Sequence, residues 1–472
     1  MLTPPLRSAG VLWAKQSSLE NKLQKSLLIR VVTITFLIAL LLIPLSMISG
    51  IVTNRQQLQQ QVESTVASSY AGPQRIVGPL LVIPYVEREV VVSTGEQGKQ
   101  TQRTIAHQRQ KILVPEQLAY DGAAGVEAKY KGLYKALVYQ AKGVWQARFD
   151  VPANYGLDIN PSLITLGTPY LAFGLSDVRG LRGTPKITWN GKDVAVKNGT
   201  GIDALGDGLH AIVGDLTAGD ARQYDVTVNM EVAGMRSLAF APIGISMNVQ
   251  LRALWPHPNF GGRFLPQTRQ INADGFNARW EISHLASKNG ELLQRGLKDV
   301  ASLETFDVSF IEPINIYQQA ERAVKYGVLF VALTFAAFFL FEVLKNLRIH
   351  PLQYGLVGLA LAVFFLLLIS LSEHIRFVYA YWAASVSCVL LISYYLAHVL
   401  GGRQRGAAFG LKLTLLYGVL YGLLLSEDNA LMLGSILVFA ALAAMMVLTR
   451  QVDWYQLSTS KKAPANENKA TA

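Results

Sequence analysis

The chain has 472 residues, of which 51% are hydrophobic and 16% charged, and its formal net charge is +11. The single cysteine, Cys388, excludes an intrachain disulfide and a thiolate metal cluster. Residues 54–320 carry 26 Lys and Arg against 24 Asp and Glu, so the positive excess flanks the apolar runs elsewhere. That distribution is typical of a membrane protein and argues against a nucleic-acid partner.

The first apolar run, residues 31–52, is uncharged and long enough to cross a bilayer core of about 30 Å. It exceeds the apolar part of a signal peptide and lacks a small-residue cleavage site, so it predicts an uncleaved anchor after an N-terminal segment, residues 1–30. Five further spans are predicted near the C-terminus, at residues 326–344, 354–372, 377–400, 407–425 and 430–449. We therefore expect a helical membrane bundle of six spans, followed by a disordered tail, residues 450–472.

The short loops predict the orientation of this bundle. Loops 345–353 and 401–406 each contain two basic residues, whereas turns 373–376 and 426–429 together hold one base and three acids. By the positive-inside rule, the basic loops and both termini are cytoplasmic. Residues 53–325 then lie outside the cytoplasm.

This long segment has the pattern of a β-rich, antiparallel, sandwich-like domain. Apolar and polar residues alternate with a period of two, which is typical of strands with one buried face. The alternation is seen in residues 145–151, 226–232, 245–251 and 306–310. Asn190-Gly191 predicts a type I′ hairpin turn, and Pro79 and Pro84 predict an edge or a bulge in a strand over residues 75–92.

Two further segments are assigned by composition. Residues 56–69 predict a helical stalk that leaves the membrane, and the polar residues 93–110 predict an exposed hairpin loop. Whether the β-rich segment forms one domain or two stays open at this point.

Zinc-protease, P-loop, nucleophile-elbow and dinucleotide motifs are absent, so no catalytic residue, metal site or cofactor is predicted. His257 lies between two prolines in Trp255-Pro-His-Pro258. A metal-binding or proton-handling role is one interpretation, and the favoured one is a rigid turn whose imidazole caps a backbone carbonyl. The apolar segment from Trp255 through Pro266, which is bounded by prolines, is either a binding surface or a buried connector.

Three ionisable residues lie at the ends of predicted spans. Glu342 ends the second span, and Glu373 and His374 lie at the outer end of the third. An ionisable group within hydrocarbon indicates function, whereas one that reaches the headgroups costs little, and the position of all three at span ends favours the second interpretation.

Several stretches together resemble one family. They are Gly72-Pro-Gln-Arg-Ile-Val-Gly-Pro-Leu-Leu-Val-Ile-Pro84, Ile164-Thr-Leu-Gly-Thr-Pro169, Trp255-Pro-His-Pro258, His350-Pro-Leu-Gln-Tyr354, Leu371-Ser-Glu-His374 and Leu448-Thr-Arg-Gln-Val-Asp-Trp-Tyr455. The combination is similar to the CreD inner-membrane proteins, a family of cell-envelope integrity proteins. The resemblance extends from about Lys25 to Tyr455.

This resemblance implies a part in envelope integrity or in the response to envelope stress, and it implies no catalytic residues. We expect the periplasmic domain to act by binding, with the lipid bilayer and an envelope lipid, glycan or protein as partners and no nucleic acid. Trp255, His257, Phe264, Glu373 and His374 are the candidate binding residues. The alternative is a membrane enzyme or transporter that acts on an envelope lipid or glycan, with Glu373 and His374 as acid and base.

Overall fold

The structure is a computed structural model that describes residues 8–94, 100–157, 159–214, 216, 221–312, 315–344, 349–426 and 429–450. It divides into two compact units. The membrane unit combines Met1–Gln57 with Ile314–Ala472, and the β domain is Leu58–Pro313. The predicted tail at 451–472 lies outside the described residues.

Six helices are long and apolar enough to cross a membrane, as the sequence predicted. They are α1 (Ser8–Ser69), α3 (Ile316–Leu344), α4 (Pro351–Ser372), α5 (Phe377–Val399), α6 (Arg403–Leu425) and α7 (Ala430–Thr449). The short α2 (Asn289–Gly296) belongs to the β domain. Helix α1 continues without a break through residues 56–69, which agrees with the predicted helical stalk.

Aromatic side chains pack among aliphatic ones in the interior of the membrane unit. The Tyr417 ring of α6 lies 4.6 Å from the ring centroids of both Phe330 on α3 and Phe364 on α4. The N-terminus of α4 is fixed by a capping box, in which the His350 side chain accepts from the backbone and the Gln353 side chain accepts from His350 N–H. Apolar association in lipid depends on such close packing, because lipid tails already solvate leucine well.

The β domain contains seventeen strands among the described residues. They are β1 (Gln74–Thr94), β2 (Gln100–Leu113), β3 (Gln117–Lys131), β4 (Tyr134–Val151), β5 (Ile164–Leu166), β6 (Tyr170–Leu175), β7 (Lys186–Trp189), β8 (Lys192–Val194), β9 (Val196–Asn198), β10 (Gly208–Ile212), β11 (Arg222–Met235), β12 (Ser237–Phe240), β13 (Ser246–Ala253), β14 (Pro258–Gly262), β15 (Thr268–Asn272), β16 (Gly275–Ser283) and β17 (Phe306–Phe310). Every stretch predicted from a period of two lies in one of these strands, except that Ile245 precedes the first residue of β13.

The strands form two sheets. One has the order β14-β17-β12-β1-β6-β10-β9, with β2 and β5 also paired to β1. The other has the order β15-β16-β13-β3-β4-β11-β7-β8. Pairing is antiparallel except for β1 with β12 and β3 with β13. The β-rich, largely antiparallel fold class is therefore confirmed, with two parallel pairs that alternation alone does not reveal.

A single hydrophobic core joins the two sheets, which makes the segment one domain. At its centre Tyr120 of β3 and Trp145 of β4 have ring centroids 4.5 Å apart. Both pack against Phe240 of β12 in the opposite sheet, at 5.0 and 5.6 Å. Burial of such large rings from both sheets supplies the main stabilisation of a sandwich without disulfides.

Two of the predictions for turns and irregularities in the β domain are confirmed, and the prediction of a long hairpin loop is wrong in part. Asn190 and Gly191 both have positive φ, 45° and 77°, and connect β7 to β8 as expected. The register of β1 against β6 shifts between Val77 and Leu80, beside Pro79, which is the predicted irregularity. The predicted hairpin loop at 93–110 is wrong for residues 100–110, which form part of β2. Most of its described side chains are polar because this ribbon is exposed, and the pattern therefore resembled a loop.

A polar trough on the eight-stranded sheet

The side of the eight-stranded sheet that faces away from the core is depressed along β3. Residues on this face alternate with the buried Leu118, Tyr120 and Ala124. The outward positions are Gln117, Ala119, Asp121, Ala123 and Gly125. Three of these five are alanine or glycine, so the strand is low between longer side chains on its neighbours. We call this depression the trough.

Three cavities lie in succession along the trough, with volumes of about 520, 950 and 610 Å³. The first two share Ala119, and the last two share Ala123. The depression is therefore continuous from Gln117 to Gly125, a length of about 27 Å at the rise of a strand.

Strand register places the lining side chains in rows across the trough. In the first row Asn248 of β13 pairs with Ala119, which pairs with Gln146 of β4. Two residues further along, Gln250, Asp121 and Val144 form the second row, which continues to Asn229 and Lys186. The third row contains Arg252, Ala123, Lys142 and Glu231. Amide and charged side chains thus recur every two residues on both sides of a floor of small residues.

The electrostatics of the trough are positive. The central cavity is lined by five basic residues, Lys142, Arg182, Lys186, Arg252 and Arg279, and by two acidic ones, Asp121 and Glu231. Both acids have partners, since Asp121 pairs with Arg252 at 2.5 Å and Glu231 accepts a hydrogen bond from Gln140. Within the part of the chain that the structure describes, Lys142 and Lys186 form no ion pair. Their ammonium groups are therefore available to an anionic ligand.

The floor is supported from beneath by one aromatic ring. Tyr120 points inward, and its ring packs directly on the backbone of the paired residues Gly122 and Gly143. A Cβ atom on either glycine would overlap that ring, so both positions require glycine. Burial, together with the nearby Asp121, raises the pKa of the Tyr120 phenol well above its usual range. The tyrosine therefore stays neutral and has a structural role under the floor.

The segment from Trp255 through Phe264 lies partly against the core. The Trp255 indole N–H donates to the carbonyls of His257 and Ile311, both at 3.1 Å. The chain bends at Leu254 and Pro256, and the Trp255 indole takes the carbonyl contacts that were expected of the imidazole. The exposed His257 imidazole forms no hydrogen bond to any described residue. Phe264 packs partly on the core, and its carbonyl accepts from the Trp280 indole at 3.2 Å. None of these three residues lines the cavities of the trough.

Glu373 and His374 have separate partners although they are adjacent in sequence. The Glu373 side chain is only 7% exposed, and its Oε1 lies 3.1 Å from Arg55 Nε. The His374 Nδ1 lies 3.1 Å from the carbonyl oxygen of Ser370 in the preceding turn. Each side chain is thus engaged within the membrane unit, and the two are not hydrogen-bonded to each other as an acid and base pair would be.

Glu342 is buried against other helices of the membrane unit. It is 4% exposed, and its Oε2 accepts a hydrogen bond of 2.6 Å from the Tyr354 hydroxyl. Glu342 lies near the end of α3, and Tyr354 lies near the start of α4. Distance along the sequence could not reveal this contact, which satisfies a buried carboxyl group within the bundle.

A bundle of six apolar helices with a large β sandwich inserted after the first helix defines a polytopic membrane protein. The family profile described as Inner membrane protein CreD matches residues 26–455. This chain belongs to that family. It is 37% identical to the Inner membrane protein CreD of Escherichia coli (strain K12), over 91% of this chain and 94% of that protein.

The solved structures that overlap this chain are only weakly similar to it. An M1 zinc metallopeptidase from Deinococcus radiodurans overlaps 42% of each chain at 7% identity, with a TM-score of 0.20. A two-domain M1 zinc metallopeptidase variant bound to tryptophan overlaps 42% of this chain and 44% of its own, at 9% identity and a TM-score of 0.17. Overlaps at these scores carry no argument about fold or activity.

Proposed function

We propose that this inner-membrane protein supports the integrity of the cell envelope, and that its β domain does so by binding an envelope component in the trough. The observation that carries this proposal is the trough itself, a depression about 27 Å long. Several amide and ammonium groups along its sides have no partner among the residues that the structure describes. Ligand sites are concave and carry a few convergent polar groups, and the trough has both properties.

The proposal includes an orientation, with the β domain on the periplasmic side and both termini in the cytoplasm. It is supported by the basic loops 345–353 and 401–406 and by the acidic turns between the other helices. Fusions of a reporter that is active only in the periplasm, placed after Thr200, Glu373, Asp428 and Leu457, test it. We expect activity at the first three sites and none at the last. Activity after Leu457 or silence after Thr200 contradicts the orientation.

The binding role is tested by obstructing the trough. Ala123 is exposed at the junction of two cavities, so Ala123→Trp places a large side chain on the floor without disturbing the core. Ala106→Trp is the matched control, because Ala106 is an exposed strand residue on β2, outside the trough. In cells that lack their own copy, we expect Ala123→Trp to lose resistance to detergent at normal protein levels, and Ala106→Trp to retain it. Equal resistance of both variants contradicts a binding role for the trough.

The catalytic alternative rests on Glu373 and His374. Substitution of both by Gln, with the same detergent assay, separates it from the binding role. Loss of function at normal protein levels with an intact trough favours the alternative, and retained function contradicts it.

A further inference from the structure

The chemistry of the trough restricts the class of ligand. Its length favours an extended polymer over a compact molecule, because three cavities are joined along one strand. A peptide that adds as a further strand is excluded here, since β3 already pairs with β4 and β13 on its two sides. The ligand must therefore be recognised by side chains.

The hydrogen-bonding groups along the sides favour a ligand rich in hydroxyl groups. Within the described ranges, the side chains of Gln146, Asn229 and Asn248 have no hydrogen-bond partner in the protein. Each amide offers two N–H donors and a carbonyl acceptor, which matches a ligand that both donates and accepts at intervals. An acyl chain could not satisfy these groups and would leave them desolvated at a cost.

The charges favour an anionic ligand, and the burial of the aromatic ring in the central cavity argues against a single-stranded nucleic acid. Lys142 and Lys186 have no acidic partner in the described part of the chain, and each lies in a different row. Single-stranded nucleic acids are held by stacking on exposed aromatic rings. Tyr120, the aromatic residue that lines the central cavity, is 4% exposed and lies under the floor.

We propose that the trough binds a linear anionic glycan, a chain of sugars that carries carboxylate groups. The hydroxyl groups are hydrogen-bonded by the amides on both sides, and the carboxylates are paired with Lys142 and Lys186. Ala119, Ala123 and Gly125 keep the floor low and let the chain lie close to the sheet. The floor also carries Asp121, whose charge is compensated by its ion pair with Arg252. This inference rests on the proposed binding role and names its ligand class.

Binding is measured with the full-length protein purified in detergent, by titration calorimetry. The probes are a linear galacturonate oligomer long enough to cover the three cavities, a neutral maltose-series oligomer of equal length, and inorganic polyphosphate. We expect the galacturonate oligomer to bind at least tenfold more tightly than either of the others. No binding of the galacturonate oligomer, or equal binding of the neutral oligomer or of polyphosphate, overturns the proposal.

Variants assign the binding to the trough. Lys142→Gln with Lys186→Gln is expected to weaken galacturonate binding about tenfold, the effect of two charge-assisted contacts of modest strength. The control, Lys197→Gln with Lys298→Gln, removes the same charge at exposed positions outside the cavities and is expected to change binding less than twofold. If the two double variants weaken galacturonate binding equally, the assignment of the site to the trough is overturned, because binding would then depend only on the net charge of the protein.

The two proposals fail in different ways. If Ala123→Trp cells lose detergent resistance but the protein binds no galacturonate oligomer, the glycan is wrong and the binding role stands. If the oligomer binds in the trough and Ala123→Trp cells remain resistant, the glycan site stands and the envelope role of the trough is wrong.

Discussion

Replacement of Asn289 by alanine should lower the free energy of unfolding of the β domain by more than is usual for a residue of a short helix. Asn289 is the first residue of α2, and its side chain is fully buried. Its Nδ2 donates to the carbonyls of Pro242 and Glu304, at 3.0 and 2.8 Å, and its Oδ1 accepts from the Glu304 N–H at 2.9 Å. One amide thus satisfies three backbone groups on two separate segments.

The expected loss in the free energy of unfolding follows from these three hydrogen bonds. Alanine leaves two carbonyls and one N–H buried without this partner, at about 1 kcal/mol or more for each group. We expect a loss of about 3–5 kcal/mol in the free energy of unfolding. For a domain of this size the Tm should fall by about 6 °C or more, because 1 kcal/mol shifts it by about 2–4 °C.

The assay is urea unfolding of the full-length protein in detergent, followed by tryptophan fluorescence, since four of the seven tryptophans lie in the β domain. Asn229→Ala is the matched control, because Asn229 is exposed and its side chain has no partner among the described residues. The control should differ from the parent protein by less than about 0.5 kcal/mol. If Asn289→Ala were as stable as the control, the inference that its amide joins the two segments would be refuted.

Three further results are expected. Gly143→Ala should cost about 1–3 kcal/mol in urea unfolding because its methyl group overlaps the tyrosine ring under the trough floor, whereas Gly125→Ala, with open space around its Cβ position, should be close to neutral. Tyr354→Phe should lower the Tm of the membrane unit in detergent, because it removes the hydrogen bond of 2.6 Å to the buried Glu342 carboxyl, and an unchanged Tm would contradict that role. Hydrogen bonds, chiefly from Arg179, lower the pKa of Asp177, so its stabilisation is complete above the unfolded-state pKa and is lost as pH falls through the folded-state value. The difference in the free energy of unfolding between the parent protein and Asp177→Asn should therefore shrink between about pH 6 and about pH 3. A constant difference would contradict the lowered pKa of Asp177.

The candidate residues show how far sequence reasoning reaches. Trp255, His257 and Phe264 were predicted as candidate binding residues, and the structure shows that the indole of Trp255 is hydrogen-bonded within the fold. The trough was missed, although one signal was present. Three of the five outward positions of residues 117–125 are alanine or glycine, residue types that are depleted in strands. This pattern identifies a site only when the strands on either side of β3 are known.

The sequence by itself determined the six apolar helices, the basic loops between them and the positions of the main strands. Each follows from a local property, namely the length of an apolar run, the sign of nearby charges or a period of two. Tertiary structure decided which strands are neighbours, and thereby placed Asn248 and Gln146 on either side of Ala119. It also brought Tyr354 to Glu342 and Arg55 to Glu373. These contacts depend on pairing between distant segments, and the pairing is chosen by the packing of the whole core and bundle, which no local pattern encodes.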